Sequence, residues 1–306
     1  MISIIVCSKY EQLPTAFVEN VAATVGVEYE LIHIDNSKQT YSIFSAYNEG
    51  VKRSNYTKLC FVHEDVLFLT QDWGKKIAVH LSNPEIGVIG IAGGDAMTPV
   101  PTGWYALNYS MHLVQSNNDG TKSEHLLYPL NYDQSTRSVA ILDGVFLCMR
   151  KELFQLIRFD EQLRGFHGYD LDISVQALVA GYKNLVVYDV LIEHFSKGVF
   201  GWDYYKNLIY ITKKWEAYLP LFESSVSEEE KEHLMQRKSR WLARLCKVLV
   251  RANVPYPEIR DTMRYYTNHV GSLWDKMKLW CFPVRVWLIR ITSKIRKKRY
   301  EISRFS

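Results

Sequence analysis

The first part of the chain alternates short apolar runs with segments whose apolar residues have helical spacing. In order, these segments read ISIIVCS, LPTAFVENVAATV, YELIHIDN, YSIFSAYNEGVKRS and KLCFVHED. The apolar runs show little alternation with polar residues, which is typical of strands covered on both faces. The pattern therefore predicts a βαβαβ unit in a parallel sheet with right-handed crossovers and strands that begin near Ile2, Tyr29 and Lys58. A further strand is predicted near Glu85.

Polar residues follow each of the three predicted strands. Ligands of open α/β sheets bind outside the carboxyl ends of the strands. The three ends read Cys7-Ser8-Lys9, Asp35-Asn36-Ser37 and His63-Glu64-Asp65. We therefore expect these clusters to converge on one edge of the sheet and to form a ligand site there.

Two common phosphate-binding loops are missing from the sequence. The first strand is followed by no glycine before Gly26, and no GxxxxGK[ST] segment occurs, which argues against dinucleotide-binding and P-loop proteins. A nucleotide whose phosphates are held by a metal ion remains. His63 and Asp65 are one residue apart, so in an extended segment both could face one side and bind a cation. The alternative is that both are polar turn residues at a strand end.

The composition indicates a globular protein with one main domain and an appendage. The chain has 306 residues, 47% of them hydrophobic, and five scattered cysteines without a CxxC pair. This cysteine pattern favours neither a disulfide framework nor a structural zinc site. Since we find neither a basic leader nor an apolar run long enough for a membrane span, we expect a cytoplasmic protein.

An ordered set of motifs resembles family-2-type glycosyltransferases of the GT-A fold, especially the streptomycin-biosynthesis-type branch. The set is IVCS, IDNS, FVHED, LDGVFLCMRKELF, GYDLDISVQALVAGY and IEHFS, and it covers 1–196. The resemblance implies an α/β fold with a mostly parallel central sheet flanked by helices. It also implies sugar transfer from a nucleotide-diphosphate sugar to a hydroxyl of a glycan, glycolipid or natural product, with a role in cell-surface polysaccharide biosynthesis.

The same resemblance implies a divalent cation, Mn²⁺ or Mg²⁺, on the donor diphosphate. In the family a DxD motif holds this cation, whereas this chain has His63-Glu64-Asp65. Asp65 is then a metal ligand and His63 a ligand or a diphosphate contact. His194 is either a strand-end histidine with structural partners or a further ligand.

Other residues receive roles from the resemblance. The base and ribose would lie near Cys7, Ser8, Asp35 and Asn36, and Asp143 and Gly144 would approach the donor sugar. Gly168 would let the backbone approach the acceptor. The rings of Trp104, Tyr105, Trp202 and Tyr204 fall in predicted loops, where they could stack on sugars or pack in the core.

Two carboxylates, Asp170 and Asp172, invite two interpretations. In the structural one, Asp170 caps a helix and Asp172 interacts with the helix dipole. In the functional one, Tyr169-Asp170-Leu171-Asp172 matches the family motif EDxD, so Asp170 is the general base of an inverting transferase and Tyr169 replaces the first acid. Since residues i and i+2 of a helix point about 200° apart, the two carboxylates cannot share one task. We group Tyr169 and Asp172 with the donor and acceptor contacts.

The C-terminal part, 201–306, is predicted to be helical and separate from a catalytic domain at 1–200. Ser227 and Glu230 form a capping box at the start of a long helical pattern. The tail Val284–Ser306 contains eight Lys or Arg residues and one Glu, with apolar residues on one face: Val284, Trp287, Leu288, Ile291 and Ile295. This tail either packs on its own domain or lies on an anionic membrane surface, the latter placing the protein at the inner face of the membrane. No nucleic-acid partner is expected.

Two other functions compete with sugar transfer. A catalytically silent nucleotide-sugar or glycan-binding protein would have the same fold with Asp170 as a cap only. A nucleotidyltransferase is disfavoured because the sequence has no glycine-rich loop followed by a lysine.

Overall fold

A computed structural model describes residues 1–117, 123–130, 134–196, 198, 201–269 and 277. Its strands are β1 (Ile2–Ser8), β2 (Tyr29–Asp35), β3 (Lys58–Val62), β4 (Val66–Phe68), β5 (Ile86–Gly90), β6 (Ala92–Gly94), β7 (Ala96–Met97), β8 (Tyr109–Ser116), β9 (Ser123–Tyr128), β10 (Thr136–Val139), β11 (Ile141–Leu142), β12 (Phe146–Arg150), β13 (Lys183–Val187), β14 (Ile192–His194) and β15 (Leu221–Phe222). Its α-helices are α1 (Thr15–Thr24), α2 (Ile43–Arg53), α3 (Trp73–His80), α4 (Tyr169–Val179), α5 (Trp202–Lys214), α6 (Glu228–Gln236), α7 (Lys238–Arg251) and α8 (Tyr256–Thr267). Two 3₁₀ helices lie at Lys151–Gln155 and Glu216–Tyr218.

Within the described residues, seven strands form a central sheet in the order β10-β13-β5-β12-β3-β1-β2. β1, β2, β3, β5 and β13 run in one direction, while β12 and β10 run against their neighbours. The predicted βαβαβ unit is confirmed, with strands that begin at Ile2, Tyr29 and Lys58. The sheet is therefore mostly parallel, as predicted, with one antiparallel strand at its centre.

The central sheet is covered on both faces because alternate side chains of each strand point to opposite sides. In β1, Ile5 belongs to the core that contains α2, whereas Ile4 belongs to the core that contains α1. The helices therefore lie on opposite faces, and the strand order reverses direction at β1. Such a reversal is where α/β sheets bind their ligands.

A second sheet adjoins the ends of β3 and β5, because its strands β4 and β6 follow these two strands in the chain. It has the strand order β11-β6-β8-β14-β4, with β9 paired to β8. β14 is antiparallel to β4 and places His194 opposite Val66. His194, which is 131 positions after His63, thereby reaches the turn that follows β3.

Helix α4 begins at Tyr169, so the interpretation of Asp170 as the N-cap is wrong. The cap is Gly168, whose φ of +87° is a left-handed conformation that favours glycine. At the other end, Gly181 also has positive φ, and the amide of Tyr182 donates to the carbonyl of Ala177 in a Schellman arrangement. Asp170 therefore occupies the second helical position, where its carboxylate faces the free backbone amides of the helix start.

The C-terminal helices pack on the N-terminal α/β region. Residues of α5, α7 and α8, including Leu208, Leu245 and Met263, belong to the same buried cluster as Phe61 and Leu171. The capping box of Ser227 and Glu230 is confirmed at the start of α6. The predicted long helix is interrupted at Arg237, which separates α6 from α7. Helices α7 and α8 are separated by a short connection that contains Pro255.

The predicted basic tail, Val284–Ser306, lies outside the described residues. Among the residues that are described, no helix combines the length and apolar character needed to cross a bilayer.

Candidate functional site

The turn after β3 and the end of β14 bring three side chains together. His194 Nε2 lies 3.6 Å from Asp65 Oδ1, and His63 Nδ1 lies 4.0 Å from the same oxygen. One ligand atom from each of the three residues lies within 4.8 Å of the others. The structure therefore places His63, Asp65 and the distant His194, all named in the sequence analysis, side by side.

The chemistry of this cluster fits a divalent cation. Two imidazoles and one carboxylate are ordinary ligands of first-row transition metals. Burial, followed by the positive charge that His194 can carry, lowers the pKa of His63 and favours the neutral imidazole that metal binding requires. Asp65 is only partly buried, with 32% of its side chain exposed, so the cluster is accessible from solvent.

Two residues that the sequence analysis missed hold His194 in place. Gln115 of β8 donates from Nε2 to the carbonyl oxygens of His194 and Ser196, both at 2.9 Å. The Ser196 hydroxyl lies 3.2 Å from His194 Nε2. Ser196 could have been found from the sequence, because it lies two residues after His194 in the motif IEHFS. The sequence around Gln115 contains no motif that indicates its contact with His194.

Tyr169, at the start of α4, connects this cluster to the loop before β12. Its hydroxyl lies 2.8 Å from His63 Nε2 and donates to the carbonyl oxygen of Gly144, also at 2.8 Å. A Cβ at Gly144 would clash with that hydroxyl, which explains the glycine at this position. Tyr169 is therefore a contact of His63, a role that its position in the motif did not reveal.

Asp170 is buried, with 9% of the residue exposed. Desolvation, and then the negative charge of Asp143, raises the pKa of Asp170 to about 7. Backbone N–H groups of Leu171, Asp170 and Gly144 oppose this rise. The carboxyl group therefore titrates near neutral pH, where it can accept a proton and release it again.

Asp143 is held beside Asp170 by two donors. Trp104 donates from Nε1 to Asp143 Oδ2 at 2.9 Å, and the amide of Val145 donates to Oδ1 at 3.1 Å. Trp104 packs edge-on against Tyr105 and lies in a loop, as predicted. The structure thus brings Trp104, Asp143, Gly144, Tyr169 and Asp170 to one region.

The structure does not bring Asp172 to this region. Its carboxylate is 1% exposed and accepts hydrogen bonds from Trp215 Nε1 at 2.8 Å and Gln176 Nε2 at 2.7 Å. Lys214 Nζ lies 2.9 Å from the same carboxylate. Asp172 therefore ties α4 to the end of α5, and the predicted contact with donor or acceptor is not supported by this geometry.

Gly168 approaches a helix of the protein itself. A Cβ at Gly168 would lie 2.8 Å from Cδ1 of Ile211 in α5. The predicted close approach of an acceptor at this glycine stays a prediction.

Trp202 and Tyr204 lie within α5, so their placement in a loop was wrong; the aromatic-rich segment has helical spacing. Tyr204 is buried in the core, consistent with the packing alternative.

The predicted nucleotide contacts lie at the adjacent ends of β1 and β2. Ser8 and Asp35 are register partners, and the amide of Asn36 donates to the carbonyl of Ser8 at 2.8 Å. The Asn36 side chain pairs with the backbone of Tyr41 at 2.9 and 3.0 Å, so it shapes the loop. Asp35 remains exposed, and burial raises the pKa of the Cys7 thiol to about 12. The Cys7 thiol is therefore uncharged and buried at this edge of the sheet.

A cavity of about 1570 Å³ lies elsewhere, at the opposite end of β3. It is lined by Lys58, Arg150, Arg158 and other polar residues, and by none of the candidate ligands. The polar cluster, rather than this cavity, is the candidate site because it combines metal-ligand chemistry with a carboxyl group of raised pKa.

A comparison with protein families identifies the family to which this chain belongs. A model described as a glycosyltransferase-like family matches residues 3–218 of the 306. The chain belongs to this glycosyltransferase-like family. The matched region contains every candidate site residue named above and ends after α5. No curated protein matches the chain significantly.

Solved structures support a GT-A fold for this glycosyltransferase-like chain. S. aureus TarS has a TM-score of 0.54 at 13% identity, covering 94% of this chain and 54% of TarS. GalNAc-T7 with UDP, GalNAc and Mn²⁺ has a TM-score of 0.51 at 14% identity, covering 90% of this chain and 56% of GalNAc-T7. The chain thus spans about half the length of these two proteins. TarS 1–349 has a TM-score of 0.51 at 12% identity, covering 95% of this chain and 91% of that fragment.

Proposed function

We propose that the protein transfers a sugar from a nucleoside-diphosphate sugar to a hydroxyl acceptor, with inversion at the anomeric carbon. The observation that carries this proposal is the buried carboxyl group of Asp170, whose pKa is raised to about 7. Asp170 is the next residue after Tyr169, whose hydroxyl contacts the candidate metal ligand His63. The proposed proton acceptor and the candidate cation ligands are therefore at the same edge of the sheet.

Asp170 acts as the general base in this proposal. An acceptor hydroxyl must lose its proton as its oxygen attacks the anomeric carbon, and a positioned carboxylate with a pKa near the working pH does this efficiently. The bond from the anomeric carbon to the diphosphate breaks in the same displacement, so no covalent enzyme intermediate forms. Asp143 contributes by raising the pKa of Asp170, since two neighbouring carboxylates resist being ionised together.

His63, Asp65 and His194 are the residues that would hold a divalent cation. A bound cation would neutralise negative charge on the leaving diphosphate. Two nitrogen ligands favour Mn²⁺ over Mg²⁺, which prefers all-oxygen coordination. The Mn²⁺ in the GalNAc-T7 structure supports this choice.

The donor nucleotide would lie along the ends of β1 and β2, with Ser8, Asp35 and the loop shaped by Asn36 around the base and ribose. UDP accompanies both GalNAc-T7 and TarS 1–349 in solved structures, so a uridine nucleotide is the first to test. Trp104 and Asp143 would contact the donor sugar. The streptomycin-type branch, the cell-surface role, the acceptor class and a cytoplasmic or membrane-peripheral location stay predictions.

The direct test is product formation from a panel of UDP-sugars in the presence of Mn²⁺. We expect slow release of UDP without acceptor, faster release with a suitable glycan or glycolipid, and a product whose anomeric configuration, read by NMR, is inverted. Retention would contradict the assignment of Asp170 as base. Binding of UDP-sugars without any release across the panel would favour the silent binding protein.

A further inference from the structure

Two positions at which the chain departs from the family motifs contact each other. His63 stands at the first acid of DxD, and Tyr169 stands at the first acid of EDxD. Although 106 positions separate them in the chain, Nε2 of His63 lies 2.8 Å from the hydroxyl of Tyr169. The two replacements therefore form one structural unit.

The direction of this hydrogen bond follows from the second contact of Tyr169. The carbonyl oxygen of Gly144 can only accept, so the single hydroxyl proton of Tyr169 goes to Gly144. The Tyr169 oxygen is then an acceptor toward His63, and Nε2 of His63 must donate. A neutral imidazole has one N–H, so Nδ1 carries the lone pair, on the side that faces Asp65 Oδ1 at 4.0 Å.

We propose that Tyr169 is a positioning residue for the cation site, which holds His63 in the tautomer whose Nδ1 lone pair faces Asp65. This inference rests on the cation site of the proposed function. Without the Tyr169 hydroxyl, the imidazole proton can move to Nδ1, which then has no lone pair for a cation. Partners of this kind commonly change metal affinity by about 10- to 100-fold.

Burial and ring packing hold the Tyr169 hydroxyl in place. The residue is 4% exposed, and its ring packs edge-on against Tyr47 at 5.5 Å and Phe44 at 6.3 Å. Its backbone begins α4, one residue before Asp170. The same side chain therefore sets the orientation of a candidate ligand and lies at the base of the helix that carries the proposed general base.

The test is Tyr169→Phe, which removes the hydroxyl and keeps the ring. Tyr47→Phe is the matched control, because Tyr47 is likewise a buried tyrosine that packs edge-on against Tyr169, and among the described residues its hydroxyl makes no hydrogen bond to His63. Mn²⁺ affinity, measured by electron paramagnetic resonance with and without UDP, should fall by about 10- to 100-fold in Tyr169→Phe. It should change less than about threefold in Tyr47→Phe. Equal affinity in Tyr169→Phe and parent would overturn the inference alone.

A tautomer measurement keeps the inference falsifiable even if a variant folds poorly. In the metal-free parent, long-range ¹H–¹⁵N spectra should show the His63 proton on Nε2, with a shift toward a mixture in Tyr169→Phe. A proton on Nδ1 in the parent would overturn the inference without any variant. If the parent bound no Mn²⁺ at all, both this inference and the cation site of the proposed function would fail, whereas UDP-sugar transfer would be judged separately.

Discussion

Asp170 and Asp172 are separated by one residue in helix α4, yet their surroundings differ in kind. Asp172 accepts hydrogen bonds from Trp215 and Gln176 and forms an ion pair with Lys214. No side-chain donor to Asp170 is found among the described residues, and its strongest charged neighbour is Asp143. Both carboxylates are buried, so burial alone does not distinguish them.

The difference lies in what compensates each negative charge. Burial raises the pKa of Asp172, but Lys214 and the donated hydrogen bonds oppose that rise. Asp170 has only backbone amides against desolvation and a like charge, which raises its pKa to about 7. A compensated carboxylate stabilises a fold, whereas an uncompensated one is available for proton transfer. The comparison predicts that one substitution, Asp to Asn, has opposite consequences at the two positions.

The largest expected effect is a loss of sugar-transfer rate in the variant Asp170→Asn. Asparagine is nearly the same size but cannot accept the proton, so turnover should fall by roughly 10²- to 10⁴-fold. UDP affinity, measured by calorimetry, should barely change. Asp172→Asn, assayed well below its unfolding temperature, should cost far less. Full activity in Asp170→Asn would show that Asp170 is not the general base.

The next effect is on stability at position 172. Asp172→Asn leaves the ammonium of Lys214 without its most buried partner, although Asp160 remains 2.7 Å away. Removing one partner of a buried ion pair costs about 3 kcal/mol, and the remaining contact with Asp160 should keep the loss at or below that value. Urea unfolding at pH 7 measures it, with Lys206→Met, which breaks the exposed pair with Asp203, as the control. Equal loss in both variants would mean that Asp172 is not a structural anchor.

A third carboxylate, Asp65, extends the comparison to the cation cluster. Mn²⁺ together with UDP should raise the unfolding free energy of the parent by about 2.7 kcal/mol at ligand concentrations of about 100 times Kd. Asp65→Ala should lose the Mn²⁺-dependent part, which thermal unfolding with and without a chelator isolates. An unchanged response to Mn²⁺ would show that Asp65 does not hold the cation.

The smallest effect is a gain in stability by Asp170→Asn. Because the folded-state pKa is raised from 3.8 to about 7, the native state keeps a proton that the unfolded state loses, and parent stability falls as pH rises between these values. Asparagine avoids that loss. At pH 8 in chelator, Asp170→Asn should exceed the parent by about 2 kcal/mol, because burying the amide offsets part of the ~4 kcal/mol that the shift represents. Below pH 4 the parent keeps the proton and the order should reverse, with Asp170→Asn the less stable by about 2 kcal/mol because of the buried amide; destabilisation at pH 8 would contradict the uncompensated charge.

Local patterns predicted the parts of the molecule that depend on nearby residues. The starts of β1, β2 and β3 and the capping box at Ser227 follow from hydrophobic periodicity and backbone preferences. Asp65 and His63 were found together because they adjoin one strand end.

Contacts between distant segments could not be read from the sequence in this way. The N-cap is Gly168 rather than Asp170, and a side chain at position 168 would meet Ile211 of α5, which is distant in the chain. The hydrogen bonds of Tyr169 to His63 and of Gln115 to His194 and Ser196 depend on how strands and helices are brought together. The position of Trp202 and Tyr204 within α5 was missed because aromatic residues near glycine resemble a loop.

The central claim is that Asp170 is a general base with a pKa near neutrality. The pH dependence of kcat/KM for transfer, measured in the parent at saturating Mn²⁺, reports the ionisation of the free enzyme. The account predicts that kcat/KM rises about tenfold per pH unit on the acid side and levels near pH 7, and that this limb is absent from the residual activity of Asp170→Asn. A profile that is flat between pH 5 and about 8, or the same limb in the variant, would contradict it.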